Sequence, residues 1–344
     1  MSARALCTLL AALACLPALA QDSPEAPART LPGHTRFDLS RPEIVAFVDR
    51  LAAAGQDRNA VYALLAKAEP QPRIIEAMSK PAEKSLAWWE YRARFLVPER
   101  IDAGAKLWRE HKEELDAIAI ERHVDPAYVL AIIGVETYYG RITGRFRVLD
   151  ALATLAFDYP PRAEYFRQEL EQFLQLAHEH ELDPLATLGS YAGAMGAAQF
   201  MPSSFRRYAV DEGGDGRPDL WTSWPDIFAS IANYLAQHGW EYGQPVIAEA
   251  SPGTATLPTA LPASVQLGDT LGALRAGGVK VAAMLDDATP CVLLPAEQKD
   301  GTAYRVGFRN FYVITRYNRS PLYAMAVHDL ATALAARVVA TDAP

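Results

Sequence analysis

The sequence predicts a mainly α-helical protein with a small β module inserted into the helical body, which is an α+β fold. From Pro42 to about Gly243, apolar residues recur at helical spacing, and Pro and Asp residues stand where helices begin. After Gly243, β-branched residues and short apolar runs alternate with turns that contain Pro and Gly. Helical spacing returns from Ser320 to about Val339. The chain therefore leaves a helical body, forms a small module and comes back.

Residues 37–244 make up the predicted helical body. Pro42 lies near the start of the first helix, and Asp57 is placed to cap the second. Asp125 and Pro126 are expected to cap and start a strongly apolar helix that reaches Glu136. The other main helices are predicted over residues 98–122, 162–180, 202–208 and 225–238.

Residues 245–315 make up the predicted β module, and residues 316–344 return to the helical body. Strands are predicted over residues 290–295, 302–308 and 311–315, and Lys299-Asp300-Gly301 forms a turn between the first two. A short helix is predicted over residues 269–275, between strands.

The first 20 residues have the features of a secretory signal peptide. Arg4 precedes an apolar run that ends in the small-x-small sequence Ala18-Leu19-Ala20, and this run is too short for a membrane span. The alternative is a buried N-terminal helix, but the run has no amphipathic face. Residues 21–36 are rich in Pro and Ala, which predicts a flexible lead-in. We therefore expect an exported, periplasmic protein.

Cysteine usage bears on both lipidation and disulfides. Cys7 and Cys15 lie in the signal segment, so a mature chain cut after Ala20 keeps only Cys291 and forms no internal disulfide. Cys291 lies in an apolar stretch, which predicts a buried structural thiol. Leu13-Ala14-Cys15 partly resembles a lipobox, so anchoring to the outer membrane is expected only if Cys15 carries lipid.

Charge limits the class of partner. Half of the residues are hydrophobic and 22% are charged, which is typical of a globular protein with a large core. The net charge of -8 argues against nucleic acid or an anionic membrane as the main partner. We therefore expect no nucleic-acid partner.

A carboxylate ends the strongly apolar helix. Glu136 follows Ala131-Ile132-Ile133-Gly134-Val135, and burying a charged Glu costs several kcal/mol unless the Glu is paired or protonated. Its pKa is therefore expected to be raised, as a general acid near neutral pH requires. Gly134 and Gly140 would leave room for a bulky substrate beside it. The residues alone also allow an exposed Glu136, or one paired with Arg141.

Small residues dominate a second segment, residues 188–202. Ser190, Tyr191 and Gln199 interrupt the Gly and Ala residues, so a ligand could approach the backbone closely and find polar groups that orient it. Tight helix packing is the alternative use of such small residues.

Together these segments resemble the lytic transglycosylases of the membrane-bound lytic murein transglycosylase B family, whose helical catalytic core is similar to goose-type lysozyme. The resemblance extends from about Phe37 to about Leu330. The matching sequences keep their order along the chain and are Ile133-Gly134-Val135-Glu136-Thr137, Leu149-Asp150-Ala151-Leu152-Ala153-Thr154-Leu155, Arg162-Ala163-Glu164-Tyr165-Phe166, Gly193-Ala194-Met195-Gly196, Gln199-Phe200-Met201-Pro202-Ser203-Ser204, Ala232-Asn233-Tyr234-Leu235 and Thr315-Arg316-Tyr317-Asn318.

The resemblance implies a role for each matched position. Glu136 matches the family's sole catalytic acid and base. The residues expected to bind substrate are Ser190 and Gln199 near the cleaved bond, Tyr234, Tyr317, Asn318, Tyr323 and Tyr91 along the sugar groove, and Arg162 against glycan or peptide stem. The family often has a second Arg before this last position, whereas this chain has Pro161.

The implied reaction cleaves the β-1,4 bond between N-acetylmuramic acid and N-acetylglucosamine in peptidoglycan glycan strands. Glu136 would act first as acid and then as base, and the C6 hydroxyl of the muramoyl sugar would close a 1,6-anhydro ring. Most glycosidases use two carboxylates, but Asp150, near a helix start, is better interpreted as a structural cap and Asp158 is the other nearby acid. A hydrolytic muramidase of the same fold and a non-catalytic peptidoglycan-binding protein are the alternatives. No segment specifies a protein partner.

The loop at residues 211–226 resembles a calcium loop of the EF-hand kind. Asp211 and Asp215 stand at its first and fifth positions, and Asp226 could supply a late ligand. Gly213 and Thr222 stand at positions three and twelve, where that motif has oxygen ligands. The loop is thus predicted to be either a structural calcium site or a metal-free turn, and no cofactor is expected to be required for catalysis.

Overall fold

The computed structural model describes residues 36–79 and 86–342. The predicted signal peptide, the lipobox-like sequence and nearly all of the lead-in lie outside the described residues. The helices are α1 Pro42–Ala53, α2 Arg58–Leu65, α3 Pro72–Ser79, α4 Trp88–Ala93, α5 Pro98–Glu110, α6 Lys112–Arg122, α7 Pro126–Thr137, α8 Val148–Asp158, α9 Ala163–Glu179, α10 Pro202–Tyr208, α11 Trp224–Gln237, α12 Leu271–Ala276, α13 Arg309–Tyr317 and α14 Pro321–Asp342.

The predicted helices are present, with two local differences. Asp57 caps α2 as predicted, since its carboxylate accepts the N–H groups of Asn59 and Ala60. The helix predicted over residues 98–122 breaks into α5 and α6 at His111, whose ring packs against Trp224 and Phe228 at 6.0 and 5.9 Å between centroids. The predicted cap of α7 is wrong.

Asp125 precedes α7 but makes no side-chain cap. Its carboxylate instead accepts the indole N–H of Trp240 at 2.9 Å, from a residue 115 positions later in the sequence. A hydrogen bond to a distant side chain has therefore taken the place of the local one that the sequence suggested.

The strands form one antiparallel sheet and one short ribbon. They are β1 Phe146–Arg147, β2 Leu188–Gly189, β3 Ile247–Ser251, β4 Asp269–Thr270, β5 Lys280–Val281, β6 Pro290–Gln298 and β7 Gly301–Gly307. β1 pairs with β2, and the other five strands lie in the order β4-β6-β7-β3-β5. The β6–β7 hairpin turns where the sequence predicts, with Gln298 opposite Gly301. The short helix predicted near residue 270 is α12.

The third predicted strand, over residues 311–315, is wrong because this segment belongs to α13. Its β-branched and aromatic residues favour a strand locally, but one face of the helix buries Asn310, Phe311, Val313, Ile314 and Thr315. The Asn310 side chain fixes the start of the helix, since it accepts the Glu241 N–H and donates to the Glu241 carbonyl. Tertiary burial has overridden local preference, and the last strand of the β module ends at Gly307.

The β module begins and ends at one point on the helical body. Its first and last strands, β3 and β7, are neighbours, and the Phe308 N–H donates to the Val246 carbonyl at 3.0 Å. A small core of its own contains Leu271 and Cys291, whose burial confirms the structural thiol and raises its pKa to about 11.

The longest helix, α14, ties the molecule together. It packs against α7, α5, α4 and α13. Its segment Pro321–Ala340 is long and apolar enough to span a membrane, but 56% of the apolar window is buried inside the protein, as in a core helix. On this helix, Asp329 accepts hydrogen bonds from Arg92 of α4 at 2.7 Å and from Arg305 of β7 at 2.9 Å. The module and the body are thus joined through one carboxylate.

Candidate active site

Glu136 lies in the last turn of α7, a helix buried on all sides from Val129 to Thr137. Its side chain is only 4% exposed, which excludes the alternative of a solvent-exposed Glu at a helix end. Arg141, the predicted alternative partner, is exposed and lies over the ring of Tyr138 at 4.6 Å. The apolar sequence of α7 therefore places a carboxyl inside the protein.

Tyr323 reaches Glu136 from α14. Its hydroxyl donates to Glu136 Oε1 at 2.7 Å, and the tyrosine side chain is fully buried. Burial is the main cause and the nearby Glu136 carboxyl the second, and together they raise the pKa of Tyr323 well above its usual value. The phenol therefore stays protonated at working pH and remains a hydrogen-bond donor to the carboxyl.

The segment of small residues wraps around the end of α7. The Thr137 hydroxyl donates to the Ala197 carbonyl at 2.9 Å, which joins α7 to this segment. Isolated bridges link Gly189 to Met195 and Met195 to Phe200, so the segment folds into a tight loop. Gly196 needs its small size there, because a Cβ atom would lie 2.3 Å from the Leu220 carbonyl oxygen. These contacts support the tight-packing interpretation of this segment, and the ligand-approach interpretation stays a prediction.

A narrow pocket opens at the Glu136 carboxyl. It is lined by Glu136, Gln199, Phe200, Met201, Ser204, Tyr234 and Tyr317. Glu136 is the only acidic residue in this lining, within the part of the chain that the structure describes. The pocket therefore offers one proton-transferring group surrounded by aromatic and polar side chains.

Gln199 is held in a fixed orientation. Its backbone is left-handed, with φ of 51°, and its side-chain N–H₂ donates to the Thr143 carbonyl at 3.0 Å and to the Gly196 carbonyl at 2.9 Å. A left-handed non-glycine residue is uncommon and marks a constrained position. Because both N–H groups have acceptors, the carbonyl oxygen is the group that Gln199 offers to a ligand.

Tyr234 and Tyr317 form the aromatic wall of the pocket. Their rings meet edge to face at 4.8 Å, and each lies 5.7 Å from the ring of Phe200. The Tyr234 hydroxyl donates to the Arg316 carbonyl at 2.6 Å, and the Tyr317 hydroxyl donates to the Ala198 carbonyl at 2.5 Å. The hydroxyls therefore hold the rings in place. One face of the Tyr234 ring stacks on His238 at 4.1 Å, and Tyr317 is the more exposed of the two tyrosines.

Comparison with known proteins agrees with this geometry. Residues 40–332 match the family described as "Transglycosylase SLT domain". The chain belongs to this family. Membrane-bound lytic murein transglycosylase B of Escherichia coli strain K12 is 38% identical over 306 residues, which are 86% of this chain and 83% of the relative.

Two solved structures extend this comparison to the fold. Lytic transglycosylase SltB1 from Pseudomonas aeruginosa has 43% identity and a TM-score of 0.82, over 87% of this chain and 99% of that one. Escherichia coli lytic transglycosylase Slt35 in complex with bulgecin A has 38% identity and a TM-score of 0.81, over 89% and 96%. The resemblance and the helical, lysozyme-like fold predicted from the sequence are confirmed, and the protein is a lytic transglycosylase.

Five predicted substrate residues of this transglycosylase are outside the pocket lining, and four of them are nearly or fully buried. Tyr91 and Tyr323 are fully buried behind Glu136, and Tyr91 lies near enough to Tyr323 to affect its pKa. Ser190 is 3% exposed, and its hydroxyl oxygen accepts the Ala194 N–H in the loop of small residues. Asn318 is 1% exposed, and its side chain accepts the Ser320 N–H just before α14. Ser190 and Asn318 thus bind their own backbone segments, and substrate contacts of these four residues stay predictions.

Arg162 lies away from the pocket lining, at the start of α9. Its guanidinium stacks over the rings of Tyr165 and Phe166 at 4.6 and 5.2 Å. Burial raises the pKa of Glu169 on α9, and the positive charge of Arg162 acts in the opposite direction. The predicted contact with glycan or peptide stem therefore stays a prediction for the transglycosylase.

Three pocket residues were not predicted from the sequence: Phe200, Met201 and Ser204. They follow Gln199 directly, and Pro202 starts α10 between them. The matched sequence Gln199-Phe200-Met201-Pro202-Ser203-Ser204 contains all three, so proximity to Gln199 was the signal that could have identified them.

The candidates for a second carboxylate have structural roles. Asp150 accepts the Glu69 N–H at 2.9 Å and pairs with Arg147 at 2.7 Å, so it ties a distant loop to α8 and does not cap its own helix as predicted. Asp158 pairs with Arg41 at 2.6 Å. Neither lines the pocket of the transglycosylase.

The predicted calcium loop is held by its own backbone. Lytic transglycosylases need no cofactor, and Slt35 has also been solved in complex with calcium. Asp211 accepts N–H groups from residues 214–216, and Asp226 accepts those of residues 212, 213 and 219. Over residues 36–79 and 86–342, no three His, Cys, Asp or Glu side chains come together as metal ligands. The structural calcium site on Asp211 and Asp215 and the metal-free turn therefore both stay predictions for this loop.

Proposed function

We propose that this lytic transglycosylase cleaves the β-1,4 bond between N-acetylmuramic acid and N-acetylglucosamine in peptidoglycan and leaves a 1,6-anhydromuramoyl end. The observation that carries the proposal is the pocket at Glu136, which is lined by a single acid. An enzyme with one carboxyl at the bond must use that group twice, or must borrow a second reacting group from the substrate. The intramolecular C6 hydroxyl is such a group.

In the first step, Glu136 gives its proton to the glycosidic oxygen as the bond from that oxygen to C1 of the muramoyl sugar breaks. The N-acetyl group of the same sugar stabilises the positive charge at C1. In the second step, the Glu136 carboxylate takes the proton of the C6 hydroxyl, whose oxygen bonds to C1. Glu136 ends protonated and ready for another turnover, and no water is consumed.

Tyr323 assigns roles to the two oxygens of Glu136. Its hydroxyl donates to Oε1, so that oxygen serves as an acceptor throughout the reaction. Proton transfer is therefore assigned to Oε2. Because Tyr323 stays protonated, the donor is in place when the carboxyl becomes charged after the first step, which is when it stabilises most.

The other residues of the pocket orient the sugars. Tyr234 and Tyr317 contact the apolar faces of sugar rings, and the Gln199 carbonyl oxygen accepts a hydrogen bond from a substrate N–H or hydroxyl. Ser204 lines the same pocket and adds a polar group that can contact the sugar. Ser190, Asn318 and Tyr91 act from behind the pocket, and Arg162 contacts the glycan or peptide stem farther along the strand.

A hydrolytic muramidase would use the same acid but admit water in place of the C6 hydroxyl. A non-catalytic binding protein would have no need of the Glu136 carboxyl, which is only 4% exposed and accepts a hydrogen bond from a buried tyrosine. Mass spectrometry of the muropeptides released from purified murein separates the three. Products one water lighter than reducing ends support transglycosylation, reducing ends indicate hydrolysis, and no release indicates binding alone.

Export places the enzyme at its substrate. The proposal is a periplasmic protein that is cut after Ala20, with membrane anchoring only if Cys15 is retained and lipidated. N-terminal sequencing of the mature protein tests it directly. A chain that begins at Gln21 agrees with the soluble form, a blocked chain that begins at Cys15 indicates the lipidated form, and an uncut chain contradicts both.

A further inference from the structure

The chain reverses sharply just after the catalytic carboxyl. Tyr138, Tyr139 and Gly140 all have left-handed backbones, with φ of 51°, 58° and 75°. Only the glycine adopts this conformation without strain, and consecutive left-handed residues of other types need support from their surroundings. The last turn of α7, which carries Glu136, therefore ends against a strained segment.

Arg100 supplies support from α5. Its guanidinium donates to the Gly134 carbonyl at 2.7 Å and lies over the ring of Tyr138 at 4.6 Å. The carbonyls of the last helical turn lack partners within the helix, and a cation at that end also interacts favourably with the helix dipole. One side chain thus binds both the last turn of α7 and the first residue of the left-handed segment.

The surroundings of Arg100 are unusual for a cation. Among the residues that the structure describes, no carboxylate pairs with it, and its Nε atom is buried without a hydrogen-bond partner. Burial lowers the pKa of Arg100, although an arginine stays protonated in proteins. The rings of Tyr138 and Phe95, the latter at 5.1 Å, take the place of an acid as its neighbours.

Tyr139 closes the same region from the other side. A Cβ atom added at Gly104 or at Gly134 would lie 2.2 or 2.7 Å from the Tyr139 hydroxyl oxygen. The tyrosine ring therefore fills the gap between α5 and α7 that these two glycines leave. With Arg100 on the carbonyl and Tyr139 in the gap, α7 has little freedom to rotate or slide.

We infer that Arg100 is a positioning residue for the catalytic acid. It holds the last turn of α7 so that the Glu136 carboxyl meets both Tyr323 and the bound glycan. The inference rests on the proposed role of Glu136 and assigns no contact between Arg100 and substrate. A small displacement of a reacting group lowers turnover much more than it lowers affinity, because binding depends on the rest of the groove.

The test compares Arg100→Met with Arg100→Lys on a soluble glycan of alternating N-acetylglucosamine and N-acetylmuramic acid. We expect the Met variant to lose about 10- to 100-fold in kcat with little change in KM. The Lys variant should recover part of the loss, since it can still donate to the Gly134 carbonyl but cannot stack as a plane on Tyr138. Melting curves give the folded fraction to which each kcat is referred.

Arg309→Met is the matched control. Arg309 also lies at a helix C-terminus, where it donates to the carbonyls of His238 and Gly239 after α11 and lies over the ring of Tyr312. We expect this variant to keep the kcat of wild type, because its contacts do not reach α7, which carries the acid. Any shift of Tyr234 on α11 should change KM instead. A similar loss in both variants would mean a general packing effect and would overturn the inference.

Two further outcomes are decisive. Wild-type kcat per folded molecule in Arg100→Met overturns the inference, and if that variant does not fold, wild-type kcat in Arg100→Lys and Arg100→Gln overturns it equally. The proposed function is judged separately, on the products of the unaltered enzyme. Anhydro and reducing products both report turnover by Glu136, so hydrolysis would correct the reaction and leave the role of Arg100 open to the same kinetic comparison.

Discussion

Glu136 and Glu169 are buried to the same extent, each with 4% of its surface exposed, yet their surroundings differ. The oxygens of Glu169 accept the hydroxyl and backbone N–H of Ser203 at 2.6 and 2.9 Å, and Tyr165 adds a third donor. Tyr323 donates to one oxygen of Glu136, and the carboxyl lines a pocket that Glu169 does not reach. One glutamate therefore fastens α9 to α10, and the other is available for chemistry.

The comparison teaches that burial alone does not identify a catalytic acid. Burial raises the pKa of Glu169 even though its donors act in the opposite direction, so a raised pKa is not sufficient either. What separates the two residues is access from the pocket and the identity of the groups that donate to them. Variants of Glu136, Glu169 and their tyrosine donors should therefore respond differently, while calcium acts at a separate loop.

The largest effect is expected at Glu136. Glu136→Gln keeps the size of the side chain but removes its proton transfer, so murein lysis should fall by at least ~10²–10⁴-fold with the melting temperature nearly unchanged. Glu169→Gln is the control, and its lysis rate per folded molecule should stay close to wild type. If both variants retain activity, the assignment of the catalytic acid fails.

Glu169→Ala should be the more damaging change for stability. It leaves the Ser203 N–H at the start of α10 without its acceptor and opens a space between two helices. We expect the free energy of unfolding to fall by about 2–4 kcal/mol. Denaturant titration measures this loss. Glu136→Ala also removes an acceptor, that of the Tyr323 hydroxyl, but it enlarges an existing pocket and opens no new space between helices, so stability should change less. The reverse order would show that the two environments have been wrongly distinguished.

Tyr323→Phe keeps the aromatic ring and removes only the hydroxyl that donates to Glu136. A hydrogen bond to a charged group contributes roughly 1.5–3 kcal/mol, so kcat should fall by about ten-fold or more. Tyr165→Phe deletes the corresponding donor to Glu169 and serves as the control, with little effect expected on kcat. Equal turnover in the two variants would separate Tyr323 from the reaction.

The pH dependence of stability should differ between wild type and Glu169→Gln. Because the folded-state pKa of Glu169 is raised from 4.5, the stabilising contribution of its neutral form is complete below that pH and is lost as the pH rises through the folded-state pKa. The melting temperature of wild type relative to Glu169→Gln should therefore be higher near pH 4 than near pH 7. A difference that is constant with pH would mean that Glu169 does not titrate as described.

Calcium should have the smallest effect. Since backbone N–H groups already bind Asp211 and Asp226, we expect millimolar calcium to leave the melting temperature unchanged in wild type and in Asp215→Ala. A rise in wild type that Asp215→Ala abolishes would establish the ion site that the sequence allows.

The sequence indicates Glu136 as a candidate acid because its signal is local, and the family resemblance assigns it the catalytic role. An acid at the end of an apolar helix, followed by a segment of small residues, can be recognised without knowing the fold. The partner of Glu136 could not be derived in that way, because Tyr323 stands 187 positions later along the chain. The family resemblance identified Tyr323 as a groove residue, whereas the geometry places it behind the acid.

Long-range contacts also explain the errors in the predicted fold. Residues 311–315 favour a strand by composition, but packing against the body makes them α13. Asp125 has the sequence context of a cap, yet it binds Trp240. Arg100 and Glu169 gave no local signal at all, since each acts on a segment that the chain reaches only after folding.

The meeting of the two ends of the β module has an evolutionary consequence. Because Phe308 and Val246 are hydrogen-bonded neighbours, a single insertion or deletion could add or remove the intervening residues without rerouting the rest of the chain. Such a segment can be exchanged between proteins as one genetic unit. Its loss would leave Asp329 paired with Arg92 but without Arg305. The helix that carries Tyr323 would then keep only one of these two ion pairs, so exchange of the module would also alter the support of that helix.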